Sequence, residues 1–356
     1  MFVSIKKYIV KHERYVGIAA IAVGFIWDSL TLARPDQIFG NITLISYLLI
    51  SAGGIIVLAL RAKRNVIAPI LWLALVQFSF GNLAGGFLVV YGRSGTFEGS
   101  YLFFLILGAF IIGNEFMRDK YSRVNFHISV WYFLLFSYLS LMVPMILSRM
   151  GDDVFLLSGV SSLAIVSVFI LILRIISPDM MLAAMKNTIF SIAAIFTLLN
   201  GLYFLNIIPP VPLSLRGIGV YHGMEKTING DYKAFFEKPD WYEFRRDTGK
   251  TFTILPGNRV AYCFSSVFAP VKLETGIYHV WEYYDGRAGE WRVSSVVSFP
   301  ITGGRNNGYR GYSAKSSLAS GKWRCSVKTE SGALVGRTTF DVIYSTQPFS
   351  LSEKIL

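Results

Sequence analysis

The chain has 356 residues, of which 53% are hydrophobic and only 16% charged, with a formal net charge of +12 and a mean hydropathy of +0.49. A soluble domain carries about 25% charged residues, so a wholly soluble chain is excluded. The basic excess does not point to nucleic acid. Residues 213–356 hold 19 basic and 13 acidic residues, a modest balance that reads first as a solvated mixed-charge surface, with affinity for an anionic surface such as lipid headgroups or acidic glycans as the alternative.

The apolar excess is confined to residues 15–208. Seven spans of bilayer length are predicted there, at about 15–33, 41–60, 66–91, 99–117, 126–147, 154–175 and 187–208, each near the 20 residues that hydrocarbon demands. No small-residue cleavage site follows the first apolar run, so a cleaved signal peptide is not expected. Lys and Arg set the orientation. Twelve lie on alternate connections (Lys6, Lys7, Lys11, Arg14; Arg61, Lys63, Arg64; Arg118, Lys120, Arg123; Arg174, Lys186), against Arg34, Arg93 and Arg149 on the others. The positive-inside rule then puts the N-terminus in the cytoplasm, and an odd number of spans exports the C-terminal part.

Within the spans, Asp28 in GFIWDSLTLARPD is the costly residue, because a carboxylate at bilayer depth requires a partner, water or a helix end. Either it is satisfied by Arg34, Arg93 or freed backbone donors, or it belongs to a substrate path. GNLAGG at 81–86 reads as close helix packing with Asn82 as a polar anchor, or as a broken helix with a binding site. Asp28, Asn82, Arg34 and Arg93 form the candidate membrane polar site. Glu115 is expected to pair with Arg118 or Lys120, and Pro144 to kink its span.

Residues 209–250 read as a linker or membrane-surface segment, in which GDYKAFFEKPDWYEF is a short amphipathic helix or a loop. From Thr251 the period becomes two. Strands are predicted at 251–255, 259–268, 276–284, 291–299, 309–315, 322–329 and 335–344, separated by turn pairs such as Asp285-Gly286 and Ser331-Gly332. Short strands at this spacing predict an all-β, Ig-like sandwich over 251–356. Cys263 and Cys325 are the only cysteines, both in predicted strands. In an oxidising compartment they form a candidate disulfide; two separate buried thiols are the alternative.

Catalytic signatures are absent from the sequence. There is no HExxH, no paired Cys/His metal spacing and no G-x-S-x-G elbow, so no catalytic residue, metal or cofactor is assigned. The stretch ITGGRNNGYRGYSAK interleaves arginines with tyrosines, which supply forks for anions and faces for sugars. Arg305, Tyr309, Arg310 and Tyr312, with Trp281, form the candidate exported binding surface; the alternative is a Gly-rich hairpin whose Arg and Tyr pack across the sheet, or a surface docked against the membrane part.

The stretches DSLTLARPD, FGNLAGGFLVVYGRSG, IIGNEFMRDKYSR, VFLLSGVSSL, PPVPLSLRGIGVYHGMEK, SSVFAP, IYHVWEYY and FPITGGRNNGYRGYSAKSSLASGKWRCSVKTESGALVGRTTFDV resemble the bacterial inner-membrane family labelled domain of unknown function 2914. The resemblance runs over most of 25–345 and is most specific at 265–342. It implies a bacterial inner-membrane protein with an exported β-domain and carries over no catalytic residue. The combined expectation is a seven-span membrane domain over 1–208 followed by an exported sandwich. Such a protein would serve as a non-enzymatic envelope binding, scaffold or signalling protein, its partners the lipid bilayer and an envelope protein or glycan. Transport or lipid handling through the polar span residues is the alternative.

Overall fold

The structure is a computed structural model. It describes residues 38–64, 70–94, 96–116, 124–228, 231–241, 243, 246–255, 260–269, 274–302, 309–347 and 349–356. Within these the chain forms two compact units. One is helical. The other comprises Arg93–Gly99, Ser148–Gly151 and Pro212–Leu356 and is built of strands.

The helical unit contains α1 (Ile38–Lys63), α2 (Ile70–Ser94), α3 (Phe97–Phe116), α4 (Val124–Leu147), α5 (Asp152–Ile176) and α6 (Pro178–Phe204). Among the described residues five helices are long and apolar enough to cross a membrane: Ile38–Lys63, Trp72–Ser94, Val124–Leu147, Asp152–Ile176 and Pro178–Phe204. The fourth predicted span falls on α3, whose described apolar stretch, Gly99–Ala109, is shorter. The first predicted span, with Asp28 and Arg34, lies outside the described residues, as does the Arg118–Arg123 connection.

The helix α4 is the centre of this unit. Trp131, Tyr132, Phe133, Phe136 and Leu141 are buried along it, and α1, α5 and α6 all pack on it. Several buried polar side chains are hydrogen-bonded within the bundle. The Trp131 indole donates to the Leu48 carbonyl at 3.0 Å, and the Tyr91 hydroxyl donates to the Ser137 carbonyl at 2.8 Å. A Cβ at Gly159 would stand 3.1 Å from both Phe136 and Phe196, so a small residue there lets α5 approach its neighbours.

One expectation is corrected here. The seventh predicted span begins at 187, but α6 starts at Pro178, directly after Ser177. Proline suits the first helical position, where its missing N–H costs nothing. Lys186 is therefore inside a helix rather than in a connection. Of the two readings of Gly81–Gly86, the structure agrees with close packing and not with a break: α2 runs through it, with Phe80, Leu83, Ala84 and Phe87 buried around it.

The β unit contains β1 (Ser214–Tyr221), β2 (Gly223–Lys226), β3 (Tyr232–Phe236), β4 (Thr251–Ile254), β5 (Ala261–Phe268), β6 (Glu274–Asp285), β7 (Glu290–Thr302), β8 (Tyr309–Lys315), β9 (Gly321–Thr329), β10 (Leu334–Tyr344) and β11 (Ser352–Ile355). One sheet has the order β1-β5-β8 and a second β4-β10-β9-β6-β7, while β11-β3-β2 form a small third. All pairs are antiparallel except β10 with β4. Val220, Cys263, Trp281, Trp323, Cys325 and Phe340 share one core between the first two sheets.

This is an Ig-like sandwich, and pairing alone establishes it. A disulfide joins Cys263 on β5 to Cys325 on β9, so it links the two sheets. The fully buried Trp281 sits opposite Cys325 on the neighbouring strand β6. Disulfide and tryptophan occupy these places in immunoglobulin domains. The first strand switches sheets: β1 pairs with β5, whereas β4 pairs with β10. Residues 222–250 are an insertion between its two halves. The segment 209–250 is therefore no linker, and GDYKAFFEKPDWYEF supplies β3 rather than a helix. The reason is pairing: β3 is hydrogen-bonded on both sides, by β2 and by β11.

Candidate functional site

The residues singled out from the sequence divide clearly. Asn82 donates to the carbonyl of Phe78 in its own helix at 2.8 Å. Arg93 lies at the end of α2. Asp28 and Arg34, of the same set, and Arg305, of the exported surface, fall outside the described residues.

Of the candidate binding surface, Trp281 is a correction. It is 0% exposed, and its indole N–H donates to Ser313 Oγ at 2.9 Å; its ring belongs to the core and reaches no ligand. Arg310 is half-buried, and its guanidinium donates to Asp231 Oδ1 at 2.8 Å and to the Leu356 carbonyl at 2.7 Å. It ties the C-terminal strand to the insertion. Tyr312 packs edge-on against Tyr232 and Tyr262, and Tyr309 lies beside the core. The expected Arg/Tyr surface is mainly the seam between the sandwich and its inserted sheet.

His279, by residue type a candidate metal ligand or triad base, is neither. It is fully buried, between Ser265 Oγ at 2.7 Å and Ser313 Oγ at 2.9 Å. Burial pushes its pKa down to about 4, so it is a neutral core imidazole. One of its ring nitrogens lies within 4.8 Å of both cysteine sulfurs, but those sulfurs are bonded to each other. Glu282 is 4% exposed and holds Arg324 through two bonds of 2.7 and 2.8 Å, with Ser326 donating at 3.0 Å. Burial raises the Glu282 pKa, but Arg324, Ser326 and the Lys328 charge outweigh it, so the carboxyl titrates below its ordinary range. Arg324 also lies 4.3 Å over the Trp291 ring. This is an internal charge pair clamped on the sheet.

The open polar site lies elsewhere. A cleft of about 610 Å³ is lined by 215–218 of β1, by Arg246, Asp247 and Thr248 of the insertion, and by Arg337, Thr338 and Thr339 of β10. Its origin is the sheet switch. β1 has a partner only in β5, and β10 gains β4 only from Asp341 onward, so two strand edges face each other with a gap between them. Arg246 bridges part of the gap, donating to the carbonyls of Thr339 and Thr248. Arg337 Nε donates to Ser326 Oγ at 3.2 Å. Arg216 is exposed, with its guanidinium 5.5 Å over the Phe268 ring. Among the described residues Asp247 is the only acid in the lining, and Lys354 Nζ lies 3.1 Å from it.

Three arginines against one acid give the lining a positive balance. None of the three arginines stands out in the sequence. The signal for β1 is its alternation, but the register slips between Leu215 and Gly217 and hides the strand that presents Arg216.

Comparison with known proteins bears on the sandwich. Residues 274–342 match the family described as "Protein of unknown function (DUF2914)". It is the family that the quoted stretches resemble. The match runs from the first residue of β6 into β10 and includes Trp281, Glu282, Cys325 and Arg337. No curated protein matches. Two solved structures are similar in part. One is an immunoglobulin-like protein from Pseudomonas aeruginosa, at 12% identity and TM-score 0.20, covering 37% of this chain and 98% of its own. The other is the alkylpurine DNA glycosylase AlkC of Pseudomonas fluorescens bound to DNA containing an abasic site analogue, at 11% identity and TM-score 0.23, covering 85% of this chain and 99% of its own. At these scores the argument for the fold stays with the strand pairing.

Proposed function

We propose that this is a membrane-anchored recognition protein whose β unit captures an anionic group. The observation that carries the reading is the cleft at the sheet switch, with Arg216, Arg246 and Arg337 in its lining. The apolar helices serve as the anchor. The protein resides in a bacterial inner membrane with its N-terminus in the cytoplasm and its sandwich outside. Two observations support that placement. Lys and Arg, Lys186 apart, are concentrated on alternate connections. The disulfide suits an oxidising compartment. Its partners are a lipid headgroup, an acidic glycan or an envelope protein, and the reading needs no catalytic group. The transport alternative rests on Asp28, Asn82 and the glycine cluster; of these, the Asn82 amide donates to its own helix.

The test uses the full chain in non-ionic detergent, passed over a sulfated polysaccharide resin. Retention is expected at low salt, and Arg216→Glu should elute at clearly lower salt than the wild type. Equal elution of the two would refute the cleft as the recognition site.

A further inference from the structure

We propose that the cleft takes a phosphomonoester, the phosphate borne on a polar glycerol- or sugar-like group; this rests on the reading of the cleft as the recognition site. A guanidinium presents two parallel N–H donors to two oxygens, so one fork satisfies a carboxylate. Three arginines line this cleft. Arg246 gives Nε and Nη2 to the Thr248 and Thr339 carbonyls and Arg337 gives its Nε to Ser326, so the exposed Arg216 presents the leading fork and the other two add positive charge and their remaining N–H groups. A phosphomonoester has three terminal oxygens and close to two negative charges near neutral pH, which suits one fork backed by two further cations better than a carboxylate does.

The surroundings agree. Thr248, Thr338 and Thr339 are also in the lining, and a threonine hydroxyl can donate to a phosphate oxygen. Lys354 offsets the charge of Asp247, leaving a positive balance. The cleft, about 610 Å³ and open to solvent, leaves room beside a phosphate for the ester group that bears it. Unlike the edges inside the sheets, those of β1 and β10 border the cleft, and their backbone groups can bond hydroxyls of that ester. A lipid ending in a phosphomonoester and a soluble sugar or glycerol phosphate share this chemistry.

The experiment titrates the full chain in non-ionic detergent with glycerol 3-phosphate in one arm. In the other it titrates with mixed micelles of phosphatidylcholine with and without phosphatidic acid. Glycerol and succinate are the controls. Saturable binding in the first arm identifies a soluble source, and binding in the second alone identifies a lipid source; either supports the proposal. Arg216→Gln should weaken that binding about tenfold or more, since it removes a charge-assisted pair. Arg337→Lys, which keeps the charge but loses the fork, should also weaken it. Arg216 is exposed, so its variant is expected to fold, and an unchanged unfolding transition checks this. Binding to neither phosphate probe, or binding indifferent to Arg216→Gln, overturns the proposal. Succinate binding as tightly as the phosphate, and equally sensitive to Arg216→Gln, overturns the phosphate assignment while leaving anion recognition intact.

Discussion

Acid should loosen the sandwich through one residue, His279. The imidazole is fully buried between Ser265 and Ser313, and its pKa falls from 6.5 to about 4. In the unfolded chain it regains its ordinary value, so between these two values the unfolded state binds a proton that the folded state refuses. Stability then falls as pH falls. Each pH unit crossed between those two values removes about 1.4 kcal/mol, so going from pH 7 to pH 5 should take about 2 kcal/mol from the β unit. Hydrogen exchange of β5, β6 and β9 amides in the full chain, corrected for intrinsic rates, reads this as protection about thirtyfold lower at pH 5. His279→Gln removes the titrating group and should flatten the pH response, whatever its effect on absolute stability. An equal fall in wild type and variant, or none in the wild type, would refute the argument.

Other consequences follow from the same core. Glu282→Ala leaves the Arg324 guanidinium, half enclosed on the sheet, without its carboxylate; the expected loss is about 3–5 kcal/mol, read as a lower urea midpoint for the β unit. Replacing Glu282 and Arg324 together by leucine should cost much less than Glu282→Ala, and an equal cost would show that the pair is not what matters. Reducing the Cys263–Cys325 bridge, whose ends are 62 residues apart, should lower β-unit stability by about 2–4 kcal/mol. Comparing urea midpoints with and without a thiol reductant checks it.

Much of the sandwich is legible in the sequence because period two survives in it. The predicted strand 309–315 coincides with β8, and the predicted 322–329 falls one residue short of β9. Legibility ends at the first strand. Its two halves lie in different sheets, separated by the insertion, and the slip at Leu215/Gly217 breaks the alternation. The helices show a similar pattern. Apolar length marks α1, α4 and α5 well, whereas α6 extends back to Pro178 over a stretch that carries Asp179 and Lys186, too polar to be read as span. The cleft is not legible at all. Arg216, Arg246 and Arg337 are far apart in the chain, and only the approach of β1 to β10 brings them to one lining. Conversely, Trp281 and Arg310 are conspicuous by type, but aromatic and basic residues in strands serve the core and the seams as readily as a surface. Nothing in residue type distinguishes these uses; burial does.

The measurement that bears most directly on the account is the side of the membrane that the cleft faces. Arg216→Cys adds one thiol at the exposed rim of the cleft, while the native pair remains bonded. A membrane-impermeant maleimide applied to intact spheroplasts should label this variant and leave the wild type unlabelled. Labelling only after the membrane is permeabilised would put the cleft in the cytoplasm and contradict an anchored receptor for anions outside it.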